Sequence, residues 1–167
     1  MNSNDLKGQV ERATARNFID WYNKENSRKL VLSKKQEAPD FVYVDEIGEI
    51  GIEITTCFYN QYHAALVSKW ARGYAVRENR SKLMREPEKE LVASINERLR
   101  EKAQKRYGEN CFLVIRVPSS PLTTNAEFER DVVPAISVPM NHPFRKIFVT
   151  VDQQHFFTLQ IAKPSAD

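Results

Sequence analysis

Two carboxylates in one short stretch, APDFVYVDEIGEIGIEITT (Ala38–Thr56), carry the most chemical information in the chain. Glu53 stands between Ile52 and Ile54, in a run that otherwise reads as a core strand. A charge there costs several kcal/mol unless a partner compensates it. Asp40 lies on the other arm of an apparent hairpin. A two-residue turn at Ile47-Gly48 pairs Glu46 with Glu49, Val42 with Glu53 and Asp40 with Thr55. Side chains alternate along a strand, so Asp40, Glu53 and Thr55 share one face while Ile50, Ile52 and Ile54 line the other. The two acids are then diagonal neighbours, with Cβ atoms roughly 7–8 Å apart or somewhat less. Such a pair can converge on one divalent cation, magnesium or manganese, at about 2.1 Å from each oxygen. A one-residue slip would send them to opposite faces. The alternative is structural: Asp40 as a turn residue, and Glu53 paired with an Arg or Lys across the sheet.

The elements that must position these acids follow from apolar spacing. Residues 9–25 predict a first helix, with Val10, Thr14, Phe18, Trp21 and Tyr22 on one side. Residues 29–36 read as a short strand and 39–56 as the hairpin. A long helical segment is expected from 58 to about 82, interrupted by nothing stronger than Gly73. Pro87 opens a third helix over 88–107, with Leu91, Ile95, Leu99 and Ala103 at i, i+4 spacing and Gly108 placed to end it. The run CFLVIRV (111–117) suits a central strand covered on both faces. Thr124 or Asn125 caps a short helix around 126–134. KIFVTVD and HFFTLQIA form a closing hairpin across 152–154, and 164–167 is a tail. This order predicts a single α/β domain over residues 1–167, a mixed sandwich with helices packed on a central sheet.

Composition bounds the function classes. At 167 residues the chain is long enough to bury a core, and 41% hydrophobic with 28% charged residues is ordinary for a globular protein. No apolar run approaches the roughly 18 residues of a membrane span, so no membrane partner is expected. MNSNDLKGQVER has no apolar stretch of the kind a secretory signal carries, which predicts a cytoplasmic protein. Cys57 and Cys111 fall in strand positions and read as buried free thiols. His63, His142 and His155 are too far apart in sequence to suggest a zinc site. There is no glycine-rich phosphate loop, nucleophile elbow or dinucleotide fingerprint.

Pro39-Asp40, a turn, and Glu53-Ile54-Thr55 on an apolar strand resemble the PD-(D/E)XK nuclease superfamily. The helices before and after the hairpin match that family's core order, over about residues 9–117. The resemblance implies a restriction endonuclease-like fold, a mixed β-sheet flanked by α-helices, and magnesium held by the Asp and the Glu. In that family the motif lysine positions or activates the attacking water. Thr55 stands where that lysine would be, and some members place a functional lysine on the following helix. Lys69, near the centre of the stripe formed by Tyr62, Leu66 and Gly73, is the candidate for the displaced lysine. Gly73, one turn further, would let that helix sit close to the sheet. A first-helix Glu often joins the family's metal site, and Glu11, inside the apolar arc of residues 9–25, fits that position. The structural alternatives are a dipole-favoured Glu11 in a first helical turn and a Lys69 whose stem covers apolar surface.

A net charge of +3 is too mild to establish a nucleic-acid partner, so the distribution of basic residues matters more. Arg72, Arg77, Arg80, Lys82 and Arg85, with Tyr74 among them, could line a phosphate-binding groove or form a solvated connection. Glu97, Arg98, Arg100, Glu101 and Lys102 read as the solvent face of the third helix. The expected function is a magnesium-dependent phosphodiesterase acting on DNA, with RNA second and a homodimer left open. Asp40 and Glu53 would hold the ion, aided by Glu11 and the Ile54 carbonyl, with Lys69 and Thr55 attending the water. The competing function is a catalytically inactive module of the same fold that binds nucleic acid or protein.

Overall fold

The structure, a computed structural model, describes residues 3–59, 61–74, 86–118 and 124–160. It is a mixed α/β arrangement in which one six-stranded sheet, ordered β1 to β6 as in sequence, carries helices on both faces. The strands are β1 (Val31–Lys35), β2 (Phe41–Val44), β3 (Glu49–Thr56), β4 (Cys111–Arg116), β5 (Lys146–Thr150) and β6 (Phe157–Leu159). The inner strands β3, β4 and β5 run parallel, and the remaining neighbours pair antiparallel.

Helix α1 (Ser3–Asn26) covers one face. Its Ala15, Phe18, Ile19 and Tyr22 pack on Ile50, Ile52, Ile54, Phe112, Val114 and Phe148. Phe18 sits at the centre, with ring centroids 4.8 Å from Phe148 and 5.2 Å from Phe156. On the other face, α3 (Pro87–Ala103) presents Leu91, Ile95 and Leu99 to Leu113, Ile115, Ile147 and Val149. The connection from β4 to β5 joins that second core through Phe128, Val132 and Ile136. Both faces of the parallel strands are therefore buried, which is why β4 reads as a continuous apolar run.

The structure moves several expected boundaries. α1 begins at Ser3, six residues before the expected start. α3 ends at Ala103 with Gln104 as its C-cap, so Gly108 plays no part in stopping it. The short helix expected around 126–134 is three tight pieces. α4 (Asn125–Glu127) is capped by Thr124 in a reciprocal capping box with Glu127, and a π turn (Phe128–Val132) and a 3-10 turn (Val133–Ala135) follow it. α2 (Gln61–Ala71) is shorter than the segment expected from 58 to 82, of which residues 60 and 75–82 lie outside the described residues. Gly73 is its stop signal: φ is +79°, and the Tyr74 N–H donates to the Lys69 carbonyl at 3.1 Å, closing a Schellman turn.

The β2–β3 turn is also longer than expected. The loop Asp45–Gly48 closes the hairpin through Asp45 N–H to Gly48 C=O, and the Asp45 carboxylate accepts from the N–H groups of Ile47 and Gly48. Arg28 clamps the same carboxylate at 2.5 and 2.7 Å and holds its pKa well below the usual range. Val42 consequently pairs with Gly51, two residues from the expected partner Glu53. A shift of two preserves side-chain parity, so the face assignment survives.

Gly51 fixes how close Pro39, and with it Asp40, approaches the sheet. A Cβ at residue 51 would lie 2.6 Å from Pro39 Cγ and 3.7 Å from the Cys111 Cα. Gly51→Ala is therefore expected to overpack this contact and cost about 1–3 kcal/mol in urea unfolding. A neutral substitution would show that Pro39 is free to move aside.

Candidate functional site

The site is built where β2 gives out beside β3. The last paired step of that ladder is Phe41 with Ile52, and one step further Asp40 lies across from Glu53. Because β2 ends, the Ile54 N–H has no strand partner on that side and donates to Asp40 Oδ2 at 2.7 Å. The Ile54 carbonyl leaves the strand on the same side as its N–H. Ile50, Ile52 and Ile54 bury themselves against α1, which forces Glu53 and Thr55 onto the α3 face.

Glu53 is 5% exposed and its compensating partner comes from α3. Lys102 Nζ donates to Glu53 Oε1 at 2.5 Å, and the Tyr107 hydroxyl donates to the same oxygen at 3.1 Å. Both side chains of the ion pair are removed from solvent, at 14% and 6% exposure. Glu53 Oε2 is buried and has no hydrogen-bond partner among the described residues. Thr55, also buried, stands two residues on along the same face.

Electrostatics couple the two acids. Burial pushes the Asp40 carboxyl up to about 6, against the Ile54 N–H, and the negative charges of Glu53 and Glu11 add to the rise. Lys102 opposes it. Tyr107 is raised well above a phenol's ordinary value, first by burial and then by Glu53. Burial likewise lifts the neighbouring Cys111 thiol to about 12, so it stays protonated and is no nucleophile at neutral pH. Beside the acids a cleft of about 440 Å³ is lined by Gln36, Pro39, Val42, Gly51 and Asn110; neither acid lines it.

Lys69 is not on a buried stripe. It is exposed in the last turn of α2, where a cation suits the helix C-terminus. Gly73 lies beyond the helix end, and a Cβ at that position would meet nothing within 4 Å, so it brings no helix onto the sheet. The buried ammonium at the acids belongs to Lys102 instead, which also corrects the reading of Lys102 as solvent face. The signal was present: Lys102 follows Leu91, Ile95 and Leu99 by a further i+3 step, on the buried stripe.

Glu11 does not complete a three-carboxylate cluster. It is 17% exposed and forms an ion pair with Lys7 at 3.6 Å, and its charge reaches Asp40, whose carboxyl it helps to raise. Among the described residues no group of three or more His, Cys, Asp or Glu side chains is placed to hold a metal. Arg72 is exposed and folds back onto Ser68, with hydrogen bonds of 3.2 and 2.6 Å. Arg77, Arg80, Lys82 and Arg85 lie outside the described residues. Among those residues no helix is long and apolar enough to cross a membrane.

No protein-family model, curated protein or solved structure matches the chain.

The Glu53–Lys102 pair makes a direct stability prediction. Removing one member of a buried ion pair typically costs about 3–5 kcal/mol because the other charge is stranded. Lys102→Met should fall in that range by urea unfolding, and adding Glu53→Gln should restore at least half of the loss. Additive losses in the double variant would show that the two side chains do not compensate each other.

Proposed function

We propose that the chain is a divalent-cation-dependent phosphodiesterase that cleaves DNA, with a restriction endonuclease-like arrangement of its sheet and helices. The observation that carries this reading is the grouping of Asp40 and Glu53 on one sheet face with the Lys102 ammonium against Glu53. Magnesium or manganese fits the donors available. Glu53 Oε2 is a buried, unpartnered carboxylate oxygen, and Asp40 and the Ile54 carbonyl add hard oxygen atoms at the same strand edge. When bound, such an ion lowers the pKa of a coordinated water and neutralises charge on the scissile phosphate.

The chain's own groups do the rest. The Ile54 N–H holds one Asp40 oxygen and so orients the carboxyl. Lys102 keeps Glu53 charge-compensated without substrate and supplies the ammonium that Thr55 cannot. With phosphate present, that ammonium is a donor to the phosphate or to the attacking water. The raised Asp40 pKa means that its anionic form, the one that binds a cation, prevails above about pH 6. Activity should therefore fall as pH drops below that value.

A second reading, a catalytically inactive nucleic-acid or protein-interaction module, is favoured by Thr55 and by the saturation of Glu53 Oε1 by Lys102 and Tyr107. Cleavage of labelled duplex DNA with magnesium or manganese separates the two, with single-stranded RNA as a second substrate. The nuclease reading expects wild type to cut, and Asp40→Ala and Lys102→Ala each to lose about 10²-fold or more. Lys69→Ala should cut normally. Wild type that binds DNA but does not cut it under any of these conditions would leave the inactive module.

A further inference from the structure

Arg116 is a charged side chain whose environment the proposed chemistry does not use. It ends β4, in register with Thr56 of β3 and Thr150 of β5. Phe112 and Val114 precede it on the α1 face, so strand alternation turns Arg116, Thr56 and Thr150 toward that face as one row, with neighbouring strands about 4.8 Å apart. The row lies at the carboxyl ends of the three parallel strands, where open α/β sheets bind their ligands. Its backbone is fixed on both sides: Cys57 N–H donates to the Arg116 carbonyl at 2.9 Å, and Val117 N–H to the Thr150 carbonyl at 2.8 Å.

Among the described residues no acid compensates the guanidinium. Arg116 Nε is buried without a hydrogen-bond partner, and none of the ion pairs among the described residues includes Arg116. The acid closest along the chain beyond β5, Asp152, is already committed to Asn125 and His155. Thr150 is engaged as well, accepting the Gln153 N–H at 2.9 Å. Burial lowers the Arg116 pKa and no carboxylate opposes that shift. A partly buried cation without an anion is costly, and a guanidinium's fork of donors matches phosphate oxygens.

We propose that Arg116, with the Thr56 hydroxyl beside it, is an anion subsite for a phosphate group of the nucleic-acid backbone. This rests on the phosphodiesterase reading for the identity of its ligand. It places a cationic phosphate clamp three residues beyond Glu53 along the sheet, on the α1 face, opposite the face that carries Asp40 and Glu53. A phosphate there compensates the guanidinium charge and holds the backbone of the strand being read or cut.

The test uses full-length, metal-free protein, with inorganic phosphate and dimethyl phosphate as probes and sodium chloride at matched ionic strength as control. Wild type should melt higher in either phosphate than in chloride, and calorimetry should give a saturable affinity. Arg116→Met should melt higher than wild type in chloride, because it removes an unpaired buried charge, and should bind both probes at least about tenfold more weakly. Thr56→Val, which keeps the shape and removes the hydroxyl, should show an intermediate loss. A response to inorganic phosphate alone would identify a free-phosphate site and overturn the backbone assignment. Equal melting in phosphate and chloride, or an Arg116→Met protein that binds as wild type does, would overturn the subsite altogether. Wild type that binds dimethyl phosphate through Arg116 yet cuts no DNA would retain the subsite and remove only the phosphodiesterase reading.

Discussion

The buried Glu53–Lys102 ion pair is the constraint on which the rest of the site depends. Glu53 occupies a central strand whose opposite face is locked into the aromatic core beneath α1, so its carboxylate cannot leave the α3 side. Lys102 reaches it only because α3 lays Leu91, Ile95 and Leu99 along the same face. Fixing the helix by that apolar stripe fixes the ammonium as well. A buried ion pair is weak evidence for stability in itself, since desolvation offsets much of the Coulomb attraction. One Glu53 oxygen stays unpartnered all the same, and beside it Asp40 holds a proton more tightly than a solvated carboxyl would. Such an arrangement suits a site better than a core.

Much of this is legible in the sequence, for a reason specific to strands. Ile50, Ile52 and Ile54 alternate with Gly51, Glu53 and Thr55, and burial of the isoleucines settles which way the acid points. The Asp40–Glu53 face assignment survives a wrong turn because the error is even: the Asp45–Gly48 loop moves the register by two residues and keeps parity. The lysine is harder. Lys69 and Lys102 both sit in the last turn of their helices, and what separates them is the face each takes. Lys69 is exposed, whereas Lys102 continues the buried stripe of Leu91, Ile95 and Leu99. Glu11 falls within an apolar arc, but an arc says nothing about which sheet face a helix covers. The π and 3-10 turns at 128–135 have no periodicity of their own to read.

The two faces of the sheet meet at its carboxyl edge. Asp40 and Glu53 stand on the α3 side, three residues short of it, where β2 ends, and the Thr56–Arg116–Thr150 row stands at it on the α1 side. The α1 N-terminal half closes over the same edge through Thr14, whose hydroxyl lies 2.9 Å from Gln153 Oε1. The paired acids and the guanidinium therefore stand on opposite faces of the sheet, three residues apart along its strands.

The coupling of Asp40 to Glu53 is open to direct measurement by carbon-13 NMR of the carboxyl groups across a pH titration. The Asp40 resonance should titrate with a midpoint near 6 in wild type, and the midpoint should fall in Glu53→Gln, where a neighbouring negative charge is gone. The sign carries over to stability. A folded value above the unfolded one favours the native state fully below about pH 4, and that contribution is lost as pH rises through 6. An Asp40 midpoint near 3.8, or one near 6 that Glu53→Gln leaves unmoved, would contradict a coupled acid pair at this edge.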